Sequence, residues 1–488
     1  MKTFRLLKFA IVAFWLIMVG LLIHKHYFKP QIDRISFASI QEVIDVDEEW
    51  MGIYFQKEKV GYAVTITRRL GDSYQIFEHS LMHLNVLGTN QRIESRLKSF
   101  VNEDFSLKSF KFSLSSGPVK FSLQGEVKGK TLNLTMVSGK NKSYTFLKLK
   151  EVPYLSNSLK PYILQHGLKI GKKYRLPFFD PSTMTSSEIL VEVIGKEEVI
   201  HSGNPITAYK LKESFKGIET LMWVSEAGET LKEESPLGLS LVKESREDAL
   251  SGEWMKGPKP DLILMTAVPV NKEIINARNI NKLKVKLKGI SFYEFDLNGG
   301  RQNLEGDILE IRKEEQLSDK TFLLPYREEK LKRYLQPTPL IQSNDRKIIK
   351  LAGEIVKGTK DAEKAARTLL NWTYDNLEKK PTMSIPSALE VLELKAGDCN
   401  EHTALFTALA RSIGIPTRIC VGIVYLKKNF YYHAWPEIFL GKWVAVDPTF
   451  NQFPADATHI RFVVGDLSDQ IKILKIVSQL EIEILEYS

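Results

Sequence analysis

The chain has 488 residues, 43% of them hydrophobic and 10% aromatic. That is enough apolar mass for roughly two to four domains and too much for a disordered class. Lysine and arginine total 68 against 59 acidic residues, a formal net charge of +9; the charges are interspersed, and two cysteines exclude a disulfide-stapled fold. No basic block with interleaved aromatics marks a nucleic-acid binder, so nucleic acid is not an expected partner, and mild attraction to an anionic membrane surface is the more economical use of the surplus.

The first thirty residues, MKTFRLLKFAIVAFWLIMVGLLIHKHYFKP, set Lys2, Arg5 and Lys8 ahead of an uncharged run from Phe9 to Ile23. The run is short against the about 20 residues of a spanning helix, but Leu6, Leu7, Tyr27 and Phe28 extend it if Lys8 snorkels. Residues 1–30 are therefore expected to form a membrane anchor or signal-like segment. His24, Lys25, His26 and Tyr27 after the run supply no small-x-small cleavage site, which favours an uncleaved anchor. Lys25, Lys29 and Arg34 blunt the positive-inside asymmetry; the expectation is a single pass through a bacterial inner membrane with the soluble region periplasmic. Asn133, Asn141 and Asn371 open Asn-x-Ser/Thr triplets that matter only in a glycosylating host and are read as chance.

Residues 31–256 alternate, as in GIYFQKEKVGYAVTITRRL, SLKSFKFSLSSGPVKFSLQGEV, KTLNLTMVSG and EILVEVIGKEEVI. Period-two runs broken by Gly, Asn and Ser turns predict antiparallel sheet with one apolar face, a curved half-barrel around a packed core. A short helix or loop is expected at EVPYLSNSLKPYILQHGLKIGKKYRLPFFDPSTMT. Residues 257–340, with NKLKVKLKGI, GDILEIRKEE and the turn at Leu297 to Gly300, read as a smaller β-rich unit. It closes on a linker holding Pro337 and Pro339, which disfavour helix. The period then becomes helical: Ile348, Leu351 and Ile355, then Ala362, Ala365, Leu369 and Trp372, mark amphipathic helices. Residues 341–465 are expected to hold the chemistry, and 466–488 a C-terminal strand or tail.

In AGDCNEHTALFTALARSIGIPTR, Gly397 and Asp398 lead into an apolar run, which puts Cys399 at the N-terminus of a buried helix. Converging amides and the helix dipole there lower a thiol's pKa and can stabilise an oxyanion. Downstream, NFYYHAWPEIFLGKWVAVDPTFNQFP reads as two strands joined by a turn at Leu440 to Lys442. His433 and Asp447 then come close to facing one another, so the carboxylate holds the ring while its other nitrogen reaches the sulfur. Cys420 sits in an apolar strand and reads as core. His402 reads as a helix-surface or supporting histidine rather than a metal ligand. Trp435, Trp443 and Pro448 read as sheet packing and Trp372 as helix packing; Asn400 and Glu401 are candidates for lining the cleft, and a second oxyanion donor is not identified.

GDCNEHTALFTALARSIGIPTR and YYHAWPEIFLGKWVAVDPTF, in that order and spacing, resemble the core of the transglutaminase-like superfamily, the papain-related thiol enzymes, over about Ser343 to Val464. The resemblance implies an α+β fold with the nucleophile helix packed on antiparallel sheet. It matches Cys399 to the nucleophile, His433 to the general base and acid, and Asp447 to the orienting carboxylate. Animal members use calcium, but no Asp-x-Asp-x-Asp-Gly run is present, so no metal and no other cofactor is expected. These residues permit acyl transfer at a protein or peptide amide through a thioester, with an amine or water as acceptor. A cysteine peptidase or amidase on the same core is the first alternative, and a non-catalytic envelope binding or assembly protein the second.

Overall fold

The structure is a computed structural model and describes residues 46–488 except 87, 118, 236–237, 258, 266, 316–321, 382–384, 466–468, 470 and 474–478. Alternating apolar and polar side chains build a first meander of β1 (Val46–Phe55), β2 (Glu58–Arg69), β3 (Ser73–Val86), β4 (Thr89–Asn102), β5 (Leu107–Ser116), β6 (Val119–Lys128), β7 (Thr131–Ser138) and β8 (Asn141–Lys148). Helix α1 (Ser156–His166) follows, and then β9 (Lys173–Asp180), β10 (Thr185–His201), β11 (Asn204–Phe215), β12 (Ile218–Ser225), β13 (Thr230–Glu234) and β14 (Leu239–Lys243). Within each meander, sequence neighbours are sheet neighbours, and β1 pairs antiparallel with β14, so both meanders merge into a single 14-stranded sheet.

Twist curls this sheet until its halves meet. Ile76 of β3 and Val101 of β4 share a core with Val191, Leu211 and Val224 of β10 to β12, and Leu159 and Ile163 of α1 fill the space between. The edges β8 and β9 do not pair with each other. The backbone of Pro153 and Tyr154 straps the curl instead: Leu107 N–H donates to Pro153 O (2.9 Å), Tyr154 N–H to Pro177 O (2.8 Å) and Phe179 N–H to Tyr154 O (3.0 Å).

Beyond this sheet, β15 (Val268–Pro269), β16 (Lys282–Lys288), β17 (Gln302–Glu305) and β18 (Ile308–Arg312) precede the helical segment. Helices α2 (Arg346–Val356) and α3 (Ala362–Asn376) start where Asp345 and Asp361 accept hydrogen bonds from Lys347 N–H and Lys364 N–H. The two-residue strand β19 (Glu378–Lys379), α4 (Ala388–Leu394) and the two-residue β20 (Ala396–Gly397) lead into α5 (Cys399–Ser412). β21 (Thr417–Leu426), β22 (Asn429–Phe439), β23 (Trp443–Ala445) and β24 (Ile460–Val464) then form a sheet in the order β15–β22–β21–β24, with β23 also on β22. β25 (Glu481–Tyr487) returns to pair with β16.

Two expectations are corrected. The α+β class does not describe the structure, which is mostly β among the described residues, at 50% strand and 20% helix. The reason is that the helices of the α2–α5 segment serve a short stretch, whereas alternating strands make up nearly all of Val46 to Lys243, with α1 the one helix among the described residues there. The anchor expected at residues 1–30 lies outside the described residues, and among those described no helix is long and apolar enough to cross a membrane.

Residues Glu401 to Arg411 of α5 are all buried, as a helix apolar on every face requires. α2, α3 and α4 cover it on one side and β21 and β22 on the other. Gly422 of β21 lies opposite His433, and a Cβ at Gly422 would fall 1.9 Å from the Ile460 carbonyl oxygen of β24. Gly422→Ala is therefore expected to force the two strands apart and to destabilise the fold by about 1–3 kcal/mol. The measurement is the thermal unfolding midpoint, and an unchanged midpoint would contradict this close approach.

Candidate active site

The start of α5 is fixed by a reciprocal cap. Asp398 Oδ1 accepts from Asn400 N–H at 2.9 Å, and Glu401 Oε2 accepts from Asp398 N–H at 2.9 Å, which satisfies amides that a buried helix end would otherwise leave open. Gly397 makes room for it, because a Cβ there would meet Glu401 Cβ at 2.3 Å. Glu401 is thus a buried capping group rather than a cleft residue. Asn400 faces β22, where its Oδ1 accepts from Tyr432 Oη–H at 2.9 Å.

Cys399, partly exposed, opens this helix against the strand that carries His433: the Ala434 backbone hydrogen-bonds the thiol, and Thr403 Oγ1 donates to Ala434 O at 3.1 Å. Two residues beyond the end of β23, Asp447 reaches His433. The β22–β23 ladder pairs Glu437 with Ala445, and continued it sets Asp447 across from Trp435, with His433 as the diagonal neighbour. His433 Nε2 lies 2.8 Å from Asp447 Oδ2, so Nδ1 is the ring nitrogen left for other partners. Phe450 stacks on the ring at 5.0 Å. The structure therefore brings all three predicted residues to one place, at the junction of α5 and β22.

Sequence reading missed the other half of the cluster. Asp447 Oδ2 also accepts from His459 Nε2 at 2.9 Å, and His459 Nδ1 lies 3.4 Å from Asp456 Oδ1. Asp456 Oδ2 pairs with Arg278 Nη1 at 3.0 Å, and the Arg278 guanidinium also faces Phe450. Asp447 Oδ1 is occupied too, by Thr449 N–H at 2.7 Å and Phe450 N–H at 3.1 Å. The signal for His459 and Asp456 was present as an Asp and a His closely following Asp447 in DATHI. Arg278 had none, since it comes from a distant segment.

The electrostatics run against one expectation. Burial, with the Asp398, Glu401 and Asp447 charges, pushes the Cys399 thiol well above its usual range, and this outweighs the amide contribution. Burial lowers His433 despite Asp447, with His459 and Arg278 adding to the drop. His459 is raised, because Asp456 and Asp447 outweigh its burial, and Asp447 is held well below the carboxylate range by the two histidines. Burial thus favours the neutral thiol and the neutral His433 imidazole, while Asp456 and Asp447 favour the protonated form of His459.

Ligand atoms of His433, Asp447 and His459 lie within 4.8 Å of one another, a spacing one divalent cation could use. With Asp447 Oδ2 accepting from both rings, the set is already complete as hydrogen bonds. His402 is fully buried, not on a helix surface, and its Nδ1 meets Asp398 O at 2.7 Å. Cys420 is buried with Trp435, Ala445 and Ala455. Trp443 packs under Arg418 and against Tyr334 and Phe439, Pro448 is buried, and Trp372 packs on the main core.

Residues 349–448 match the family model of the transglutaminase-like superfamily. An uncharacterized protein of Mycobacterium leprae (strain TN) is 28% identical over 141 residues, 27% of this chain, which spans about half (50%) of that relative's length. Among solved structures, a provisionally assigned cysteine protease from Cytophaga hutchinsonii is 15% identical and aligns with 43% of this chain and 87% of its own, at a TM-score of 0.29. A β-barrel-like protein from Brucella abortus, of a domain of unknown function, is 10% identical over 42% of this chain and 97% of its own, at 0.30. Similarity at that level carries no functional weight. From the family match, the chain carries a transglutaminase-like superfamily domain over residues 349–448.

Proposed function

We propose that this domain is a thiol enzyme performing acyl transfer at a protein or peptide amide, with Cys399 as nucleophile, His433 as general base and acid, and Asp447 as orienting carboxylate. The observation that carries the reading is the 2.8 Å contact of His433 Nε2 with Asp447 Oδ2 beside a thiol at the N-terminus of α5. A buried histidine held by a carboxylate, with its other nitrogen left over, has the tautomer a general base needs.

In this reading the neutral His433 takes the thiol proton at Nδ1 as Sγ attacks the carbonyl carbon. The resulting imidazolium then donates that proton to the departing nitrogen as the C–N bond breaks, leaving a thioester. Water resolves the thioester to an acid and an amine resolves it to a new amide; either way the same nitrogen accepts and returns a proton. His459 acts through Asp447: by taking up the carboxylate's charge it keeps His433 neutral at rest, and so available as a base.

Two outcomes follow. Chloroacetamide alkylation read by mass spectrometry is expected to mark Cys399 and to vanish in Cys399→Ala, while Cys420→Ala leaves it unchanged; equal marking of both cysteines removes the basis for an active thiol. His459→Gln is expected to leave Asp447 acting on His433 alone and so to raise the His433 pKa. The acid side of the alkylation profile, which in the unsubstituted protein should fall below the ordinary histidine value of 6.5, then moves to higher pH. A profile that stays in place while the protein remains folded would limit His459 to a packing role.

A further inference from the structure

A cavity of about 220 Å³ lies against the first turn of α5. Asn400, Thr403 and Ala434 line its inner side. The first follows Cys399 and the last follows His433, so the cavity adjoins both groups assigned to the chemistry. Leu340 and Ile419 continue the wall, and the far side comes from the 14-stranded sheet, through Leu147 at the end of β8 and Met184 just ahead of β10. Among the described residues that line it, none is charged.

The size and lining restrict what fits. Pockets for whole small ligands run to about 300–1,000 Å³, so this one suits a single bulky side chain. An ammonium, guanidinium or carboxylate would lose its hydration here and find only a few hydroxyls and one amide in return. An aliphatic or aromatic group loses nothing comparable and gains apolar contact along the lined walls.

We propose that this cavity is a substrate subsite that receives a bulky apolar side chain next to the attacked carbonyl, so that the substrate is a polypeptide chosen by an aliphatic or aromatic residue and the β-rich region helps to choose it. The proposal rests on the reading of Cys399 as nucleophile. Discrimination of the kind an apolar pocket gives is about ten-fold or more between a filled and an empty pocket.

The test uses the full chain and dipeptidyl acyloxymethyl ketones, on which a cysteine sulfur displaces the carboxylate from the methylene carbon to form a thioether. One side chain is alanine and the other is varied among glycine, leucine, phenylalanine and arginine, at each of the two positions in turn. Leucine or phenylalanine at one position is expected to speed modification of Cys399 about ten-fold or more over glycine, with no gain from arginine. The uncharged substitutions Leu147→Gln, and separately Met184→Gln, are expected to weaken that preference while Cys399 is still alkylated by chloroacetamide. The subsite is overturned if the ketones react at one rate whatever the side chain, if none reacts while chloroacetamide does, or if the preference survives both substitutions undiminished. Loss of chloroacetamide reactivity at Cys399 in the unsubstituted protein would instead overturn the thiol reading itself.

Discussion

Burial of α5 from Glu401 to Arg411 is the constraint on which the rest of the structure depends. A helix buried over that whole length needs partners on every side, and α2, α3, α4, β21 and β22 are those partners. Its polar ends must be satisfied internally. Asp398 and Glu401 do this at the N-terminus, and at the other end Gly414 N–H donates to Arg411 O and Ile415 N–H to Ala410 O, both at 3.0 Å. The thiol at the mouth of such a helix takes its position from this packed surround.

Burial also decides the charge state of the site. Beyond burial itself, the carboxylates that close the helix cap, one and two residues away, oppose a thiolate, so the feature that positions Cys399 also favours its protonated form. One step back, His459 lies between Asp447 and Asp456, and these two carboxylates favour its protonated form. Fully hydrogen-bonded, buried ion networks of this kind are strict about geometry. Glu437 forms a second one beneath the same sheet, with Arg418 Nε at 2.8 Å and Arg461 Nη1 at 2.9 Å.

Legibility in the sequence followed distance along the chain. Cys399 could be placed because Gly397, Asp398 and the apolar run are its immediate neighbours, and the His433–Asp447 contact because a hairpin turn sets its own register. The β character of the first half was readable from alternation. Its union into a single sheet was not, because the β1–β14 pairing joins segments that nothing local connects. The α+β expectation erred by extending one region's architecture to the whole chain. Arg278 was invisible for the same reason as the sheet order, and the upward displacement of the thiol depends on which carboxylates fold inward, which spacing alone does not encode.

The Pro153–Tyr154 strap gives the β-rich region a mechanical grain. Elsewhere the sheet is held by continuous ladders, but at this seam three backbone hydrogen bonds do the work. Leu147 and Met184 flank the strap, one just before it and the other just past the strand it binds. The segment that joins the two edges of the sheet therefore also sets the spacing of the wall that faces α5, so a change in the length of this strap would alter the width of that crevice.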